Sequence, residues 1–326
     1  MTRGRILTAL RVGVAVVTLA AVVYAVARNW RDVGPHLDRI SGGVVALSTL
    51  AAALGTWLTM LGWKVILGDL GSPLHPAPAS GVYFVGQLGK YLPGSLWSVL
   101  VQADIASHLR VPRRRTAVAG LLALGLALLT GVLVGLPAAS YLLRSPTGGF
   151  PWQVLLAIPL VAVLLVPALL NRLVAVGLRL LRRSPLDHDL SGRAVLLSVG
   201  LFVAAWLGFG AHTLLLARAV AGSGSPHPDL TVAAVTGYPL SVALGMLTIV
   251  LPAGLGAREG LLTLILSTAI PTPAAAAVAI VSRFVVTVVD VGAALAGWVY
   301  ARRHHLTGAG PSSAGATGSG DGRGRT

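Results

Sequence analysis

Residues 251–260 read LPAGLGAREG, and long apolar runs flank them on both sides. In a soluble protein this pattern would predict a strand, a turn and a helix. Pro252 has no backbone donor, and Gly254 and Gly256 lower helix propensity. In a chain as apolar as this one, the interruption predicts a broken or re-entrant membrane helix within residues 232–272.

The same stretch carries two adjacent charges. Backbone groups freed at membrane depth are tolerated only where protein buries them or where they line a wet cavity, and charges at that depth are candidates for function. Arg258 could hold a phosphate or another anionic head group, helped by N–H groups at a helix start near Gly256. The alternative is that Arg258 and Glu259 form a structural ion pair or anchor the helix at the interface.

Composition defines the class of protein. The chain has 326 residues, 55% of them hydrophobic and 11% charged, whereas soluble domains carry about 25% charged residues. Several apolar runs reach the ~20 residues that a spanning helix needs. We therefore expect an all-α, polytopic integral membrane helical bundle with two broken or re-entrant helices and no separate soluble catalytic domain. The chain contains no Cys, which excludes disulfides and thiolate chemistry.

The remaining apolar runs predict ordinary spanning helices. They cover residues 7–27, 44–66, 116–142, 152–171, 194–217 and 274–300. The first run could be a signal peptide, but its length favours an uncleaved helix. Residues 28–43 are interpreted as a loop. Residues 1–306 are assigned to one membrane domain, and the Gly/Ser/Ala-rich residues 307–326 to a disordered cytoplasmic tail.

A second irregular stretch lies at residues 81–108, where residues 86–97 read GQLGKYLPGSLW. This stretch is too polar and too broken for an ordinary span, and its LPG at residues 92–94 echoes LPAG at residues 251–254. Lys90 lies just before the break and could meet a phosphate as a point charge. Alternatively, Lys90 extends to the cytoplasmic surface.

The positions of the basic residues predict the topology. The formal net charge is +15, and basic residues cluster at the N-terminus and at residues 109–115, 172–193 and 302–303. The positive-inside rule places these segments, and with them both termini, in the cytoplasm of a multi-pass protein of the cell membrane. Residues 81–108 must then enter and leave from the cytoplasm, and residues 232–272 must start and end outside. Broken helices that open to opposite faces suggest inverted repeats around a transport site.

The last predicted span carries charges on one helical face. Arg283 and Asp290 are seven residues apart in sequence and should point into the bundle. We expect Glu259 to pair with Arg283, or Arg258 to pair with Asp290. A network that only holds the helices together is the alternative. The sequence contains no Walker A, zinc-protease or nucleophile-elbow motif, so we expect no cofactor, no metal and no catalytic residue.

These motifs resemble those of a known family. LPAGLGARE is similar to the Pro-Gly-Gly-(Leu/Ile)-Gly-x-Arg-Glu signature of the lysylphosphatidylglycerol synthase transmembrane-region family, which includes the flippase domain of multiple peptide resistance factor proteins. Residues 89–94, GKYLPG, look like its Gly-(Arg/Lys)-x-(Leu/Ile)-Pro-Gly element, and Arg283 stands where the family often has Tyr-Arg. Ala253, Ser282 and Asp290 depart from the family pattern. The soluble aminoacyl-transferase domain of the two-domain members is absent from this sequence.

The resemblance implies a substrate that moves between leaflets. We expect translocation of an anionic phospholipid or a polyprenol-linked saccharide, with Arg258, Glu259, Arg283, Asp290 and Lys90 along the path. One alternative is an accessory protein that holds a lipid-linked glycan for a partner glycosyltransferase, and another is a membrane transferase. The expected partners are the lipid and the membrane, not nucleic acid. A glycosyltransferase or other cell-envelope enzyme and a second copy of the chain remain further candidates.

Overall fold

The computed structural model describes residues 30–91, 96–143, 152–221, 228–247 and 256–303. Within these ranges the chain is helical and contains no strand. Five helices are long and apolar enough to cross a membrane, or up to six if one bent pair counts as a span. The predicted all-α membrane bundle is therefore confirmed, whereas the predicted first span and the tail at residues 307–326 lie outside the described ranges.

In the described ranges the helices are α1 (Trp30–Leu37), α2 (Gly42–Asp69), α3 (Pro76–Gln87), α4 (Trp97–His108), α5 (Arg113–Leu142), α6 (Ala157–Leu164), α7 (Pro167–Leu180), α8 (Gly192–Ala221), α9 (Pro228–Met246), α10 (Ala257–Leu266) and α11 (Thr272–Arg303). Four of them are long, agree with predicted spans and extend each of those spans by a few residues. A 3₁₀ turn, Leu88–Tyr91, continues α3. The long helices are α2, α5, α8 and α11, and at 1.5 Å per residue each measures about 42–48 Å, which exceeds the hydrocarbon core of about 30 Å.

The chain repeats one order of elements. A long helix, two shorter helices and another long helix occur as α2 to α5 and again as α8 to α11. The first helices of the two halves pack antiparallel, because Gly55 lies against Phe209 while Gly62 lies against Phe202. This arrangement is what the prediction of inverted halves requires.

The shorter helices of the first half form a re-entrant hairpin. A Cβ atom at Gly86 would overlap Gln102, and one at Gly89 would lie 2.7 Å from the backbone nitrogen of Ser98. The arms therefore run antiparallel in backbone contact, which only glycine permits. The α-helix of each arm has 12 residues, or about 18 Å, and the four-residue 3₁₀ turn that extends the first arm still leaves it shorter than the hydrocarbon core of about 30 Å. The hairpin predicted over residues 81–108 is confirmed, with its first arm beginning at Pro76.

The shorter helices of the second half form a second hairpin. Gly245 lies against Arg258, and Gly237 lies against Ile265, so α9 and α10 also run antiparallel. The second arm, α10, has only 10 residues, or about 15 Å. By length and composition α9 could cross a membrane, whereas α10 is too short to do so. Of the two arrangements predicted for residues 232–272, the described helices therefore fit the hairpin better than a pair of crossings.

The two hairpins enter the bundle from opposite ends of α11. Glu259, at the start of α10, pairs with Arg283 in the first half of α11. Lys90, near the tip of the first hairpin, pairs with Asp290 further along the helix. Gly297, further still, packs on the first turns of α3. The described ends of the hairpin arms, which we call the hairpin tips, therefore both lie near the middle of α11.

Two expectations are wrong in detail. The loop expected at residues 28–43 contains the short helix α1. The single span expected over residues 152–171 is instead a broken pair, with α6 and α7 bent by 68°. The cause is Pro167, which disfavours helical geometry in the preceding residue, and Val166 accordingly adopts ψ 123°.

One end of the bundle carries both described basic loops. Arg115 donates to the Gly71 carbonyl and to Asp187, whose carboxylate lies 2.6 Å away. The hydrogen bond from Arg115 lowers the pKa of the Asp187 carboxyl below its ordinary value. Asp69, at the end of α2, accepts hydrogen bonds from Ser191. Residues 109–115 and 182–193 therefore lie together at what we call the basic end, as the positive-inside rule requires.

Candidate functional site

A cavity of about 430 Å³ lies where the two hairpin tips meet. On α2 the cavity is lined by Thr56, Thr59 and Trp63, which lie in the half of that helix nearer the basic end. Its wall on α5 uses residues between Gly120 and Leu128, again largely in the half nearer the basic end. The cavity therefore extends from the hairpin tips toward the basic end.

Asp290 is held by the first hairpin. Lys90 Nζ lies 2.7 Å from Asp290 Oδ2, and the Tyr91 hydroxyl donates to the same oxygen over 2.7 Å. The Asp290 side chain is 4% exposed and that of Lys90 is 33% exposed. Lys90 thus turns into the bundle rather than toward the surface, and the buried carboxylate has the partners that its burial demands.

Glu259 fixes the start of α10 and balances Arg283. Its Oε2 accepts a hydrogen bond from the Gly256 backbone N–H over 2.7 Å, and its Oε1 lies 3.3 Å from Arg283 Nη1. Gly256 has φ +82°, a left-handed conformation that favours glycine. The glycine and the glutamate of the motif therefore act together to begin the helix, and the carboxylate also neutralises a cation of α11.

Arg258 has an aromatic partner rather than an acidic one. Its guanidinium donates to the Tyr238 hydroxyl and lies 4.6 Å from the centroid of the same ring. Among the residues that the structure describes, no carboxylate lies within ion-pair distance of Arg258. The loop that leads into α10, residues 248–255, contains no acidic residue. Within the described ranges, the positive charge of Arg258 is therefore not neutralised by a neighbouring carboxylate.

The five charges at the hairpin tips sum to one positive charge. Lys90, Arg258 and Arg283 are cations, and Asp290 and Glu259 are anions. Each carboxylate is engaged by a different cation. The cluster therefore carries one positive charge that its own carboxylates do not balance.

The structure brings the predicted residues together from distant parts of the chain. The cavity is lined by Lys90, Arg258, Arg283 and Asp290, and Glu259 lies directly behind Arg283. Of the two pairings expected, Glu259 with Arg283 is present, whereas Asp290 pairs with Lys90 instead of Arg258. Gly254 lies outside the described residues. Within the described part of the chain, no cluster of His, Asp and Glu could hold a metal ion.

Sequence reasoning missed a buried polar chain behind the cavity. His212 Nδ1 lies 2.6 Å from Ser48 Oγ, and Nε2 lies 2.9 Å from Ser282 Oγ. The imidazole packs edge-on against Tyr238 at 5.8 Å between centroids. These three hydrogen-bonded side chains link α2, α8 and α11, and the imidazole supports the tyrosine that contacts Arg258. A single His in an apolar span was the signal that could have identified it.

Sequence reasoning also missed the aromatic and amide side chains of the cavity wall. Trp63, Tyr83, Gln102 and Trp206 all line the cavity. In sequence, aromatic residues of this kind are equally typical of an interfacial belt or of a packed core. Their position becomes visible only once the helices are packed.

Comparison with known proteins identifies the family. No curated protein matches the chain. The sequence model described as the lysylphosphatidylglycerol synthase TM region matches residues 9–294, which include both hairpins and every residue of the cavity. The chain therefore belongs to the lysylphosphatidylglycerol synthase transmembrane-region family.

Proposed function

We propose that this protein moves an anionic phospholipid or a polyprenol-linked saccharide between the leaflets of the cell membrane. Membership of the family fits a lipid-related function within the membrane. The observation that carries the proposal is Arg258, a cation without a carboxylate partner among the described residues, on the wall of a cavity inside the bundle. A guanidinium binds phosphate oxygens through two parallel hydrogen bonds, which makes a phosphate the best-matched ligand.

The hairpins supply a route for movement. In transporters with inverted repeats, the substrate lies near the midplane between two broken helices, and rocking of one repeat against the other exposes the site alternately. Here the cavity extends toward the basic end, and Gly245 and Arg258 of the second hairpin line it as well. We expect the opposite state to arise when the two halves exchange conformations, which opens the cavity toward the other end.

The cavity reaches a lipid-facing side of α5, where an acyl or polyprenyl chain could leave the bundle. Gly125 and Leu121 both line the cavity. A Cβ atom at Gly125 would meet nothing within 4 Å, and Leu121 is 47% exposed. Toward one end of α5, α4 packs at Gly120, and toward the other, α9 packs at Gly131. The gap between these contacts would let the acyl or polyprenyl chain of the substrate remain in the lipid while its head group occupies the cavity.

Replacing Gly125 by phenylalanine should obstruct this gap. We expect translocation to fall by about tenfold or more, a loss of at least ~1.4 kcal/mol, with unchanged thermal stability because the new ring enters open space. Gly200→Phe is the matched control, since a Cβ atom at Gly200 also meets nothing within 4 Å and Gly200 does not line the cavity. Equal activity of the two variants would rule out this exit for the lipid chain.

The proposed orientation can be tested because the chain contains no Cys. We expect a cysteine at Arg113, on the basic end, to react with a membrane-impermeant maleimide only after the cells are permeabilised. A cysteine at Thr268, which is exposed between α10 and α11, should react in intact cells. The reverse pattern would place the basic end outside and the cavity mouth with it.

Reconstitution in vesicles tests the function itself. Periodate does not cross the bilayer and cleaves the vicinal diols of glycerol and sugar head groups. In vesicles without protein, only lipid of the outer leaflet should be oxidised, whereas vesicles with the protein should lose the inner pool as well. Saturable lipid binding without oxidation of the inner pool would favour the accessory role, in which the protein holds a glycan lipid for a partner enzyme.

A further inference from the structure

Among the residues that the structure describes, two buried polar atoms on the cavity wall have no hydrogen-bond partner. They are the indole nitrogen Nε1 of Trp63 and the amide oxygen Oε1 of Gln102. Trp63 is 0% exposed, Gln102 is 2% exposed, and both residues line the cavity. An unsatisfied buried donor or acceptor is costly, so such atoms are rare in folded proteins and call for an explanation.

Both side chains are held firmly in place. The Trp63 ring packs on Tyr83 with 5.5 Å between centroids. Gln102 fits between two glycines, since it contacts Gly86 and its Oε1 lies 3.3 Å from the position of a Cβ atom at Gly120. The two polar atoms are thus fixed by packing, and one is a donor while the other is an acceptor.

These two atoms belong to different helices from the residues of the charged cluster. Trp63 lies on the half of α2 nearer the basic end, and Gln102 lies on α4, past the tip of the first hairpin. The cations and carboxylates occupy the hairpin tips and the middle of α11. The cavity therefore has a charged region and a neutral polar region within one volume.

We propose that Trp63 and Gln102 form a subsite for a neutral, hydroxyl-bearing group, either a polyol or a sugar, joined to the phosphate that Arg258 holds. This inference rests on the proposed function, because it describes the same cavity. A hydroxyl accepts from an indole N–H and donates to an amide oxygen, so a group with two or more hydroxyls can supply a partner for each atom. The single net positive charge of the tip cluster matches the single negative charge of a phosphodiester.

The same contacts disfavour a cationic head group. An ammonium group seeks carboxylates, but Asp290 is engaged by Lys90 and Tyr91, and Glu259 by Arg283 and the backbone at Gly256. In the neutral subsite, the indole N–H of Trp63 would face the ammonium as another donor. Two classes of lipid carry a phosphodiester joined to a neutral hydroxyl-bearing group: a phospholipid with a polyol head group and a polyprenyl phosphosugar.

Binding of matched lipids to the purified full chain tests the subsite. Phosphatidylglycerol and phosphatidylethanol with the same acyl chains share a phosphodiester, but only the first carries hydroxyls. A polyprenyl phosphohexose and the corresponding ethyl phosphodiester form the second pair. We expect the hydroxylated member of at least one pair to bind about tenfold more tightly, which is ~1.4 kcal/mol, and the pair that shows this preference identifies the source.

Two substitutions and a control test whether the preference for the hydroxylated lipid arises at Trp63 and Gln102. Trp63→Phe removes the indole N–H, and Gln102→Met removes the amide oxygen, so each should lower the affinity for the hydroxylated lipid and reduce the preference. Thr116→Val is the control, because Thr116 Oγ1 is also buried without a partner among the described residues but does not line the cavity. The preference should persist in this variant.

Separate outcomes distinguish this inference from the proposed function. Equal affinity within both lipid pairs in the unaltered protein would overturn the subsite. If Arg258→Ala then weakened both members of a pair, the proposed function would stand without the subsite. Binding of none of the four lipids would overturn the subsite and the proposed function together.

Discussion

Replacing Arg258 by alanine is expected to reduce lipid translocation by about tenfold to a hundredfold while the protein still inserts and accumulates. Hydrogen bonds to a charged group contribute about 1.5–3 kcal/mol, and a phosphate bound to this guanidinium would lose them. The substitution strands no carboxylate, because no carboxylate among the described residues pairs with Arg258, whose guanidinium instead contacts Tyr238. Stability should fall by no more than the ~1–2 kcal/mol of a buried cation–π contact.

Initial rates in the periodate assay, compared at equal protein per vesicle, would measure this effect. Arg218→Ala is the matched control, since it removes the same charge from an exposed position on α8, where Arg218 Nη2 lies 3.4 Å from Thr231. The control should retain its rate. If Arg258→Ala reduced protein level and activity in parallel, Arg258 would be structural and the phosphate site would have to be abandoned.

Breaking the pair between Arg283 and Glu259 is expected to produce the largest loss of stability. Their side chains are 17% and 14% exposed, and removing one partner of a fully buried pair costs about 3–5 kcal/mol because the other charge is stranded. Arg283→Met should therefore lower the thermal stability in detergent strongly. Glu259→Gln is the suitable partner variant, because its amide oxygen can still accept from the Gly256 N–H.

The double variant should recover much of the loss. We expect a coupling free energy of about 1–3 kcal/mol between these positions. The pair of Arg113 and Asp104, with side chains 67% and 61% exposed, is the control and should show coupling of about 0–1 kcal/mol. Strictly additive losses for Arg283 and Glu259 would mean that these charges do not stabilise one another across the two elements.

Local chemistry allowed much of the fold to be predicted. Glycines and a proline inside an apolar run break a helix wherever they occur, so the hairpin over residues 81–108 and the break before α10 could be recognised without any packing information. The basic clusters likewise required an even number of crossings between them. The break at Val166 was missed, because a proline in an apolar run is compatible with a kinked span as well as with a bend of 68°.

The site was predictable in its residues but not in its pairing. Charges in apolar surroundings must be satisfied, so Arg283 and Asp290 were expected to face the bundle interior. Which partner each would take depends on how far each hairpin tip reaches along α11, and sequence carries no such measure. Trp63 and Gln102 were missed because their significance lies in missing hydrogen bonds, which only the packed structure reveals.

The central claim is that the cavity between the hairpin tips holds the phosphate of a lipid through Arg258. Native mass spectrometry of the protein released from membranes tests this claim most directly, because it counts the lipids that remain bound to each chain. We expect the unaltered protein to retain one anionic phosphodiester lipid per chain and the Arg258→Ala variant to lose it, with Arg218→Ala unchanged. An identical complement of bound lipid in the unaltered protein and Arg258→Ala would contradict the account.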